Sequence, residues 1–214
     1  RTDYEDLAKR YPVIRAIRQE KEVVWINPDK TSYIESMESQ ELTIEDVDDA
    51  EARLLRFAPL IMRCFPETKD KGGLIESALC PIPRMKERLE QKYGSVLPGR
   101  LYLKQDSHLA IAGSVKARGG IYEVLKHTED LALTHKILQP DESYEKLADP
   151  ASREFFSGYT IQVGSTGNLG MSIGIMGAAI GYRVVVHMSA DAKQWKKDLL
   201  KSRGVTVREY ASDY

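Results

Sequence analysis

The chain is 214 residues long, and 31 Lys and Arg residues stand against 32 Asp and Glu residues, a formal net charge of −1. With 42% hydrophobic and 29% charged residues, this is the balance of an ordinary globular protein, long enough to bury a core without disulfide or metal staples. The neutral balance argues against nucleic acid or a membrane surface as a partner, since both rely on a basic excess; no apolar run approaches the roughly 20 residues of a membrane span.

The opening Arg1-Thr2-Asp3-Tyr4 holds no apolar signal core. Leu7, Ile14 and Ile17 fall at helical intervals that Pro12 interrupts. Residues 21–40, with Trp25-Ile26-Asn27-Pro28, lack a period and read as an extended loop. From Thr43 onward Ile44, Val47, Ala50, Leu54, Ala58 and Ile61 recur at steps of three and four. Thr43 with Glu45 and Asp46 suits a helix start, where a hydroxyl and negative charges satisfy free amides. Cys64 and Cys80 form no CxxC pair and read as reduced packing thiols of a cytoplasmic protein.

A second helix is expected from Pro83 to Tyr93, stopping at Gly94. Leu101-Tyr102-Leu103-Lys104 reads as a short strand leading into a loop at Asp106-Ser107-His108. A helix then starts near Lys116 and runs through Ile121, Val124 and Leu125. Residues 128–155 are helical or irregular, broken by Pro140 and Pro150.

The last part is the most regular. Tyr159-Thr160-Ile161-Gln162-Val163 is a strand ending in Gly164, followed by a Gly-rich turn and an apolar helix from about Leu169 to Ile180, closed by Gly181. The β-branched run Arg183-Val184-Val185-Val186-His187-Met188 reads as a fully buried strand. Ser189 is placed as the cap of a charged helix through Lys201, closed by Gly204, and Val205-Thr206-Val207 begins the next strand. That is β-α-β-α-β with short loops, the grammar of a parallel sheet with right-handed crossovers. The chain starts without Met and ends just after a strand-like run at Val205–Glu209, so it is expected to be a piece of a longer protein.

Two loops carry candidate chemistry. In Ser114-Val115-Lys116-Ala117-Arg118-Gly119-Gly120 a lysine opens a helix, where the helix dipole, with burial, pushes an amine toward its neutral, nucleophilic form. Gly119 and Gly120 weaken helix propensity by roughly 1 kcal/mol each, so something is expected to pack tightly against that turn. A solvated lysine beside two incidental glycines fits the same residues. In Gly164-Ser165-Thr166-Gly167-Asn168-Leu169-Gly170, Ser165, Thr166, Asn168 and the first free amides of a helix make a cradle for a small anion. Its GxxGxxG spacing is not the GxGxxG of a dinucleotide fold, and a structural turn without a ligand is the other reading.

Together the loops suit an aldehyde cofactor holding an amino acid whose carboxylate rests on the second loop. Ser114-Val115-Lys116-Ala117-Arg118-Gly119-Gly120 and Ser165-Thr166-Gly167-Asn168 resemble the two signatures of the fold-type II pyridoxal-phosphate enzymes, the tryptophan synthase β and serine/threonine dehydratase superfamily. Within it the likeness is greatest to the D-serine dehydratases. It extends through Trp25-Ile26-Asn27-Pro28, Arg56-Phe57-Ala58-Pro59, Phe65-Pro66-Glu67-Thr68, Gly119-Gly120-Ile121-Tyr122-Glu123-Val124-Leu125 and Val186-His187-Met188-Ser189-Ala190-Asp191-Ala192. The family's Ser-Ile-Lys stands here as Ser114-Val115-Lys116.

The resemblance implies an α/β fold of three-layer parallel-sheet domains, here incomplete. Residues 1–156 would be a helical extension and the first part of the large domain, carrying the Schiff-base lysine. Residues 157–214 would be a small βαβαβ domain carrying the carboxylate loop. By the same likeness Lys116 would form the internal aldimine and shuttle the α-proton, and Ser114 would support it. Asn168 would hydrogen-bond the 3′-oxygen of pyridoxal 5′-phosphate, Ser165, Thr166 and Gly167 would line the carboxylate loop with Asn168, and the Thr166 hydroxyl would assist proton transfer. The implied reaction is α,β-elimination from D-serine to pyruvate and ammonia, with D-threonine as a second substrate and a monovalent cation as activator of the whole enzyme, a monomer or homodimer. The superfamily's Gly-rich phosphate loop lies in the second half of the polypeptide; here only the doublets Gly72-Gly73 and Gly119-Gly120 occur, so residues 1–214 alone are expected to be inactive.

His108 reads as a loop residue making local hydrogen bonds and His187 as a satisfied core histidine. No two histidines stand at metal-ligand spacing, so no metal site is expected. Lys193, Lys196, Lys197, Lys201 and Arg203 read as the solvated face of a helix. The rivals are an L-serine/threonine dehydratase-like elimination or β-replacement on the same scaffold, and a noncatalytic small-anion-binding α/β module.

Overall fold

The computed structural model describes residues 4–139 and 141–211; the readings of Arg1-Thr2-Asp3, of Pro140 as a helix breaker and of Ser212-Asp213-Tyr214 lie outside the described residues. The chain divides into two compact units, Arg1–Asp46 and Val47–Tyr214.

In the first unit, helices α1 (Tyr4–Arg10) and α2 (Val13–Arg18) are separated at Pro12, which occupies the N-cap of α2. Pro12 brings no amide to the helix it follows and serves instead at the start of the next. The expected loop at 21–40 contains a third helix, α3 (Tyr33–Glu38), held by a capping box. Glu35 N donates to Ser32 Oγ at 3.3 Å and Ser32 N donates to Glu35 Oε2 at 2.9 Å. The Ser32 amide first, and the Ser32 hydroxyl donating to the same Oε2 at 2.9 Å, hold the Glu35 carboxyl below the usual carboxylate range. None of its residues is buried, so no apolar period announces it; the cap does.

Helix α4 (Ile44–Cys64) has the bounds its period predicts. Its start is braced partly as expected: the Asp46 carboxylate satisfies the free Thr43 amide, which donates to Oδ2 at 2.8 Å, whereas the Thr43 hydroxyl donates to the same oxygen at 3.2 Å. Only its second half uses the apolar face, with Ile44 and Val47 64% and 60% exposed while Phe57, Leu60 and Ile61 are buried.

The second unit contains the core. Strands β1 (Leu79–Pro81) and β2 (Tyr102–Lys104) pair antiparallel around helix α5 (Pro83–Tyr93), which ends at Gly94 with φ +61°. Helix α6 (Lys116–Thr134) starts where expected, and α7 (Pro150–Ser157) opens on its proline. Then come β3 (Thr160–Gly164), α8 (Asn168–Ile180), β4 (Arg183–Ser189), α9 (Gln194–Ser202) and β5 (Thr206–Tyr210). The three strands are parallel in the order β3-β4-β5, with Gly164 opposite His187 and Ser189 opposite Tyr210.

Two readings change here. β4 is buried on one face only: Val184, Val186 and Met188 are buried and the alternate residues are half-buried or exposed. Ser189 ends β4 rather than capping α9, which starts at Gln194 after Lys193.

Helix α8 is buried on two sides. A Cβ at Gly170, Gly174 or Gly177 would meet Val186, Leu200 with Val186, or Val184, within 2.5–3.4 Å, so these glycines let α8 settle onto β4. From its other side Leu169, Ser172 and Ile173 meet Gly120 of α6. α6 is tied to α4 through Glu129, which is buried and accepts from Arg53 Nε at 2.6 Å, Arg56 Nε at 2.9 Å and the Tyr144 hydroxyl at 2.7 Å.

Candidate active site

The site lies at the carboxyl end of β3, the end where α/β sheets hold ligands. Residues 114–116 and 164–169 face each other across a cleft of about 420 Å³, within the size range of small-molecule sites. All six residues assigned from the sequence line it: Ser114, Lys116, Ser165, Thr166, Gly167 and Asn168.

Lys116 is the first residue of α6, and its amide donates to Ser114 Oγ at 3.2 Å. The start of that helix is pinned by Arg118, which donates to the Ile75 carbonyl at 3.0 Å and pairs with Glu76. Glu76 is shared with Lys104 Nζ at 2.6 Å; the Lys104 hydrogen bond first, and Arg118 with it, hold its carboxyl below the usual range. The Lys116 side chain is exposed, so the burial expected around it is not supplied by this chain. The two glycines also part company: a Cβ on Gly120 would meet Leu169 Cδ1 at 3.0 Å and Ser172 Cβ at 3.3 Å, whereas one on Gly119 would meet nothing within 4 Å. Tight packing accounts for the second glycine alone.

The opposite wall is a braced turn. Ser165 Oγ accepts from the amides of Gly167 and Gly170, at 3.3 and 3.1 Å, and the Ser165 amide donates to the His187 carbonyl at 2.9 Å. Its hydroxyl oxygen is therefore spent on holding the loop. Gly170 has to be glycine, because a Cβ there would lie 2.8 Å from the Ser165 carbonyl and 2.9 Å from Val186 Cγ1. At Gly167 a Cβ would meet nothing within 4 Å; the space it would fill is open cleft. By helix geometry the first-turn amides of Asn168 and Leu169 have no partner inside α8, which leaves donors for an anion at this helix end. An amine, an amide side chain and a loop of amides around open space fit pyridoxal phosphate carrying an amino acid.

Two lysines were misread as solvated. Lys197 is 2% exposed, with Nζ 2.8 Å from Glu209 Oε2 and 2.7 Å from the Ala190 carbonyl. Lys196 Nζ donates to Asn168 Oδ1 at 3.0 Å. Helical spacing puts Lys197 on the same face as Leu200, a signal that was available; the Lys196–Asn168 contact spans 28 positions and leaves none. His108 is exposed, its Nδ1 3.1 Å from Ser107 Oγ, and it does not line the cleft. His187 is satisfied by Tyr210 Oη at 2.7 Å and Gln162 Oε1 at 3.0 Å, but it is half-buried on the sheet face turned away from α8 rather than in the core. Among the described residues no group of His, Cys, Asp and Glu could hold a metal ion, and no helix is long and apolar enough to cross a membrane.

Comparison with known proteins identifies the family of the chain. A probable D-serine dehydratase of Bacillus cereus is 56% identical over 208 residues, covering 97% of this chain and 47% of the relative. One from Chromobacterium violaceum is 55% identical over 204 residues, covering 95% and 46%. The chain thus spans about half the length of the curated relatives it matches. The crystal structure of Escherichia coli diaminopropionate ammonia lyase in apo form superposes with a TM-score of 0.51 at 16% identity, covering 75% of this chain and 39% of that one. The expected fold-type II architecture is the one observed, incomplete in this chain. The model of the family described as "Pyridoxal-phosphate dependent enzyme" matches residues 78–214, and because that span contains both loops of the cleft, the chain belongs to the pyridoxal-phosphate-dependent enzymes.

Proposed function

We propose that this chain contributes the cofactor-binding lysine and the substrate-carboxylate loop to an enzyme that converts D-serine to pyruvate and ammonia by α,β-elimination. The observation that carries the reading is the convergence of Ser114–Lys116 and Gly164–Leu169 on one cleft. D-Serine as the substrate rests on the names of the curated relatives. The labour divides near residue 157: the part before it brings the lysine, the part after it the loop.

Bound pyridoxal phosphate supplies an electron sink for the pair released at Cα. Lys116 Nζ is the amine that would hold the cofactor and that, when free, would take the α-proton of the substrate. A positioned base of this kind is worth about 10²–10⁴-fold. Ser114 fixes the first turn under the lysine through its bond to the Lys116 amide. Asn168 presents its amide to the cofactor's 3′-oxygen. The substrate carboxylate sits on residues 165–167 and the first amides of α8, an anion site that needs no arginine, and the Thr166 hydroxyl assists proton transfer near Cα. By the resemblance the phosphate and the pyridine nitrogen would be held by further polypeptide, and residues 1–214 alone would turn over no D-serine.

Borohydride reduction of the full-length polypeptide with pyridoxal phosphate, followed by mass mapping, is expected to place a pyridoxyl adduct on Lys116, absent in K116A. Pyruvate release is expected from D-serine in preference to L-serine. An unmodified Lys116 overturns the functional reading and favours an anion-binding module; preference for L-serine moves the substrate; pyruvate from residues 1–214 alone refutes the reading that further polypeptide is needed to hold the cofactor.

A further inference from the structure

Lys196 is the third residue of α9 and is half-buried. Its Nζ lies 3.0 Å from Asn168 Oδ1, while Asn168 lines the cleft and Lys196 does not. The lysine therefore contacts Asn168 without itself lining the cleft. Its neighbour Lys197 is buried and bound to Glu209 and the Ala190 carbonyl, which fixes the rotation of α9 and so directs Lys196 to α8.

An ammonium group has donors only, and an asparagine amide has one accepting edge and one donating edge. Only Oδ1 can face Lys196; the flipped amide would set Nδ2 hydrogens against three ammonium hydrogens. The donating edge is thereby fixed on the side away from Lys196. The ammonium also polarises the amide, and hydrogen bonds in series strengthen one another, so Nδ2 becomes a better donor.

We propose that Lys196 is a positioning residue that locks the Asn168 side chain with Nδ2 presented to the 3′-oxygen of a bound pyridoxal ring. This rests on the role given to Asn168 in the proposed function. The rival is a plain tether between α8 and α9, which would change stability and leave the cofactor unaffected.

The test uses the full-length polypeptide with K196M, K196R, N168A and the K196M/N168A double variant. Cofactor affinity is read by absorbance titration with pyridoxal phosphate, and the Asn168 side-chain amide by its ¹H–¹⁵N resonances in the unliganded protein. K196M is expected to weaken cofactor binding about 10- to 100-fold, the range of one charge-assisted hydrogen bond, and to shift the Asn168 amide resonances. K196R restores most of both, and K196M adds nothing in the N168A background. Melting temperatures of all four show whether folding is disturbed; K196L, which also lacks a donor, replaces K196M if that variant does not fold. Wild-type affinity in K196M, or an equal loss with and without the Asn168 side chain, overturns the proposal. With a wild-type adduct on Lys116, either result removes only the positioning role; without that adduct the functional reading beneath it fails as well.

Discussion

Gly119 and Gly120 are adjacent in the first turns of α6, yet the structure assigns opposite signs to their replacement by alanine. Both gain about 1 kcal/mol of helix propensity. At Gly119 nothing stands within 4 Å of the new Cβ, so the whole gain is realised. At Gly120 the new methyl lies 3.0 Å from Leu169 Cδ1 and 3.3 Å from Ser172 Cβ. The leucine can turn its tip away. Ser172 cannot, because its Cβ is fixed to the α8 backbone and its hydroxyl donates to the Asn168 carbonyl at 2.9 Å. α8 must retreat by a few tenths of an ångström, an overpacking cost of about 1–3 kcal/mol that cancels or exceeds the propensity gain. For a chain of this size roughly 2–4 °C of melting temperature corresponds to each kcal/mol. G119A should therefore melt about 2–4 °C above the wild type, and G120A at or below it. Thermal unfolding followed by circular dichroism reads the difference. Because the retreat carries Asn168 away from Lys116, G120A should also bind pyridoxal phosphate more weakly in the full-length polypeptide. Equal melting shifts for the two variants would refute the argument that α6–α8 contact sets the width of the cleft.

Three further outcomes follow from the same packing. E129Q removes the charge shared by Arg53 and Arg56 and should cost about 3–5 kcal/mol in denaturant unfolding. Burial raises the Glu129 carboxyl, but the bonds from Arg56, Tyr144 and Arg53 outweigh it and hold it below the usual range; its contribution is present above the ordinary glutamate pKa of about 4.3 and lost as pH falls through the lower native value, so acid unfolding of E129Q should be less steep than that of wild type at equal pH. G73A should destabilise by about 2–4 kcal/mol, since Gly73 sits at φ +79° with its Cβ position driven into the Ala58 carbonyl, while G72A, at φ +61° with open space around it, should lose less. Burial pushes the Tyr182 hydroxyl up to about 12 against its bond to Thr128, and burial with Glu129 also raises Tyr144, so ultraviolet titration should show late-ionising tyrosine absorbance that Y182F reduces but does not abolish.

Much of the second unit was legible because its boundaries are chemical. Gly164, Gly181 and Gly204 punctuate β3-α8-β4-α9-β5, and β-branched runs separate strands from helices; the two chemical loops follow from that punctuation. The misses have two causes: a local cap left unread at α3, and elsewhere a dependence on what another segment does. α3 is a short exposed helix whose only mark is the Ser32–Glu35 box. The one-sided burial of β4 depends on helices packing on a single face. Whether Gly119 or Gly120 is compelled, and whether Lys196 is solvated, is decided by α8 and not by neighbours in sequence.

The geometry of the site follows from these through-space constraints. Lys116 and Asn168 each begin a helix, and the two helices touch at Gly120 against Leu169 and Ser172. Van der Waals contact between α6 and α8, rather than an ion pair, therefore fixes the distance from the amine to the amide. Apart from Lys196 on Asn168, the ionic groups act one step further out: Arg118 with Glu76 and Lys104 holds the start of α6, Glu129 holds its far end, and Lys197 holds α9. Contact between packed helices is short-ranged and stiff, whereas exposed ion pairs are soft and screened by salt. Raising the salt concentration should thus leave the spacing of Lys116 and Asn168 unchanged, while a single methyl at Gly120 should alter it, and the sensitivity of cofactor binding to G120A against its tolerance of salt measures which of the two forces sets the site.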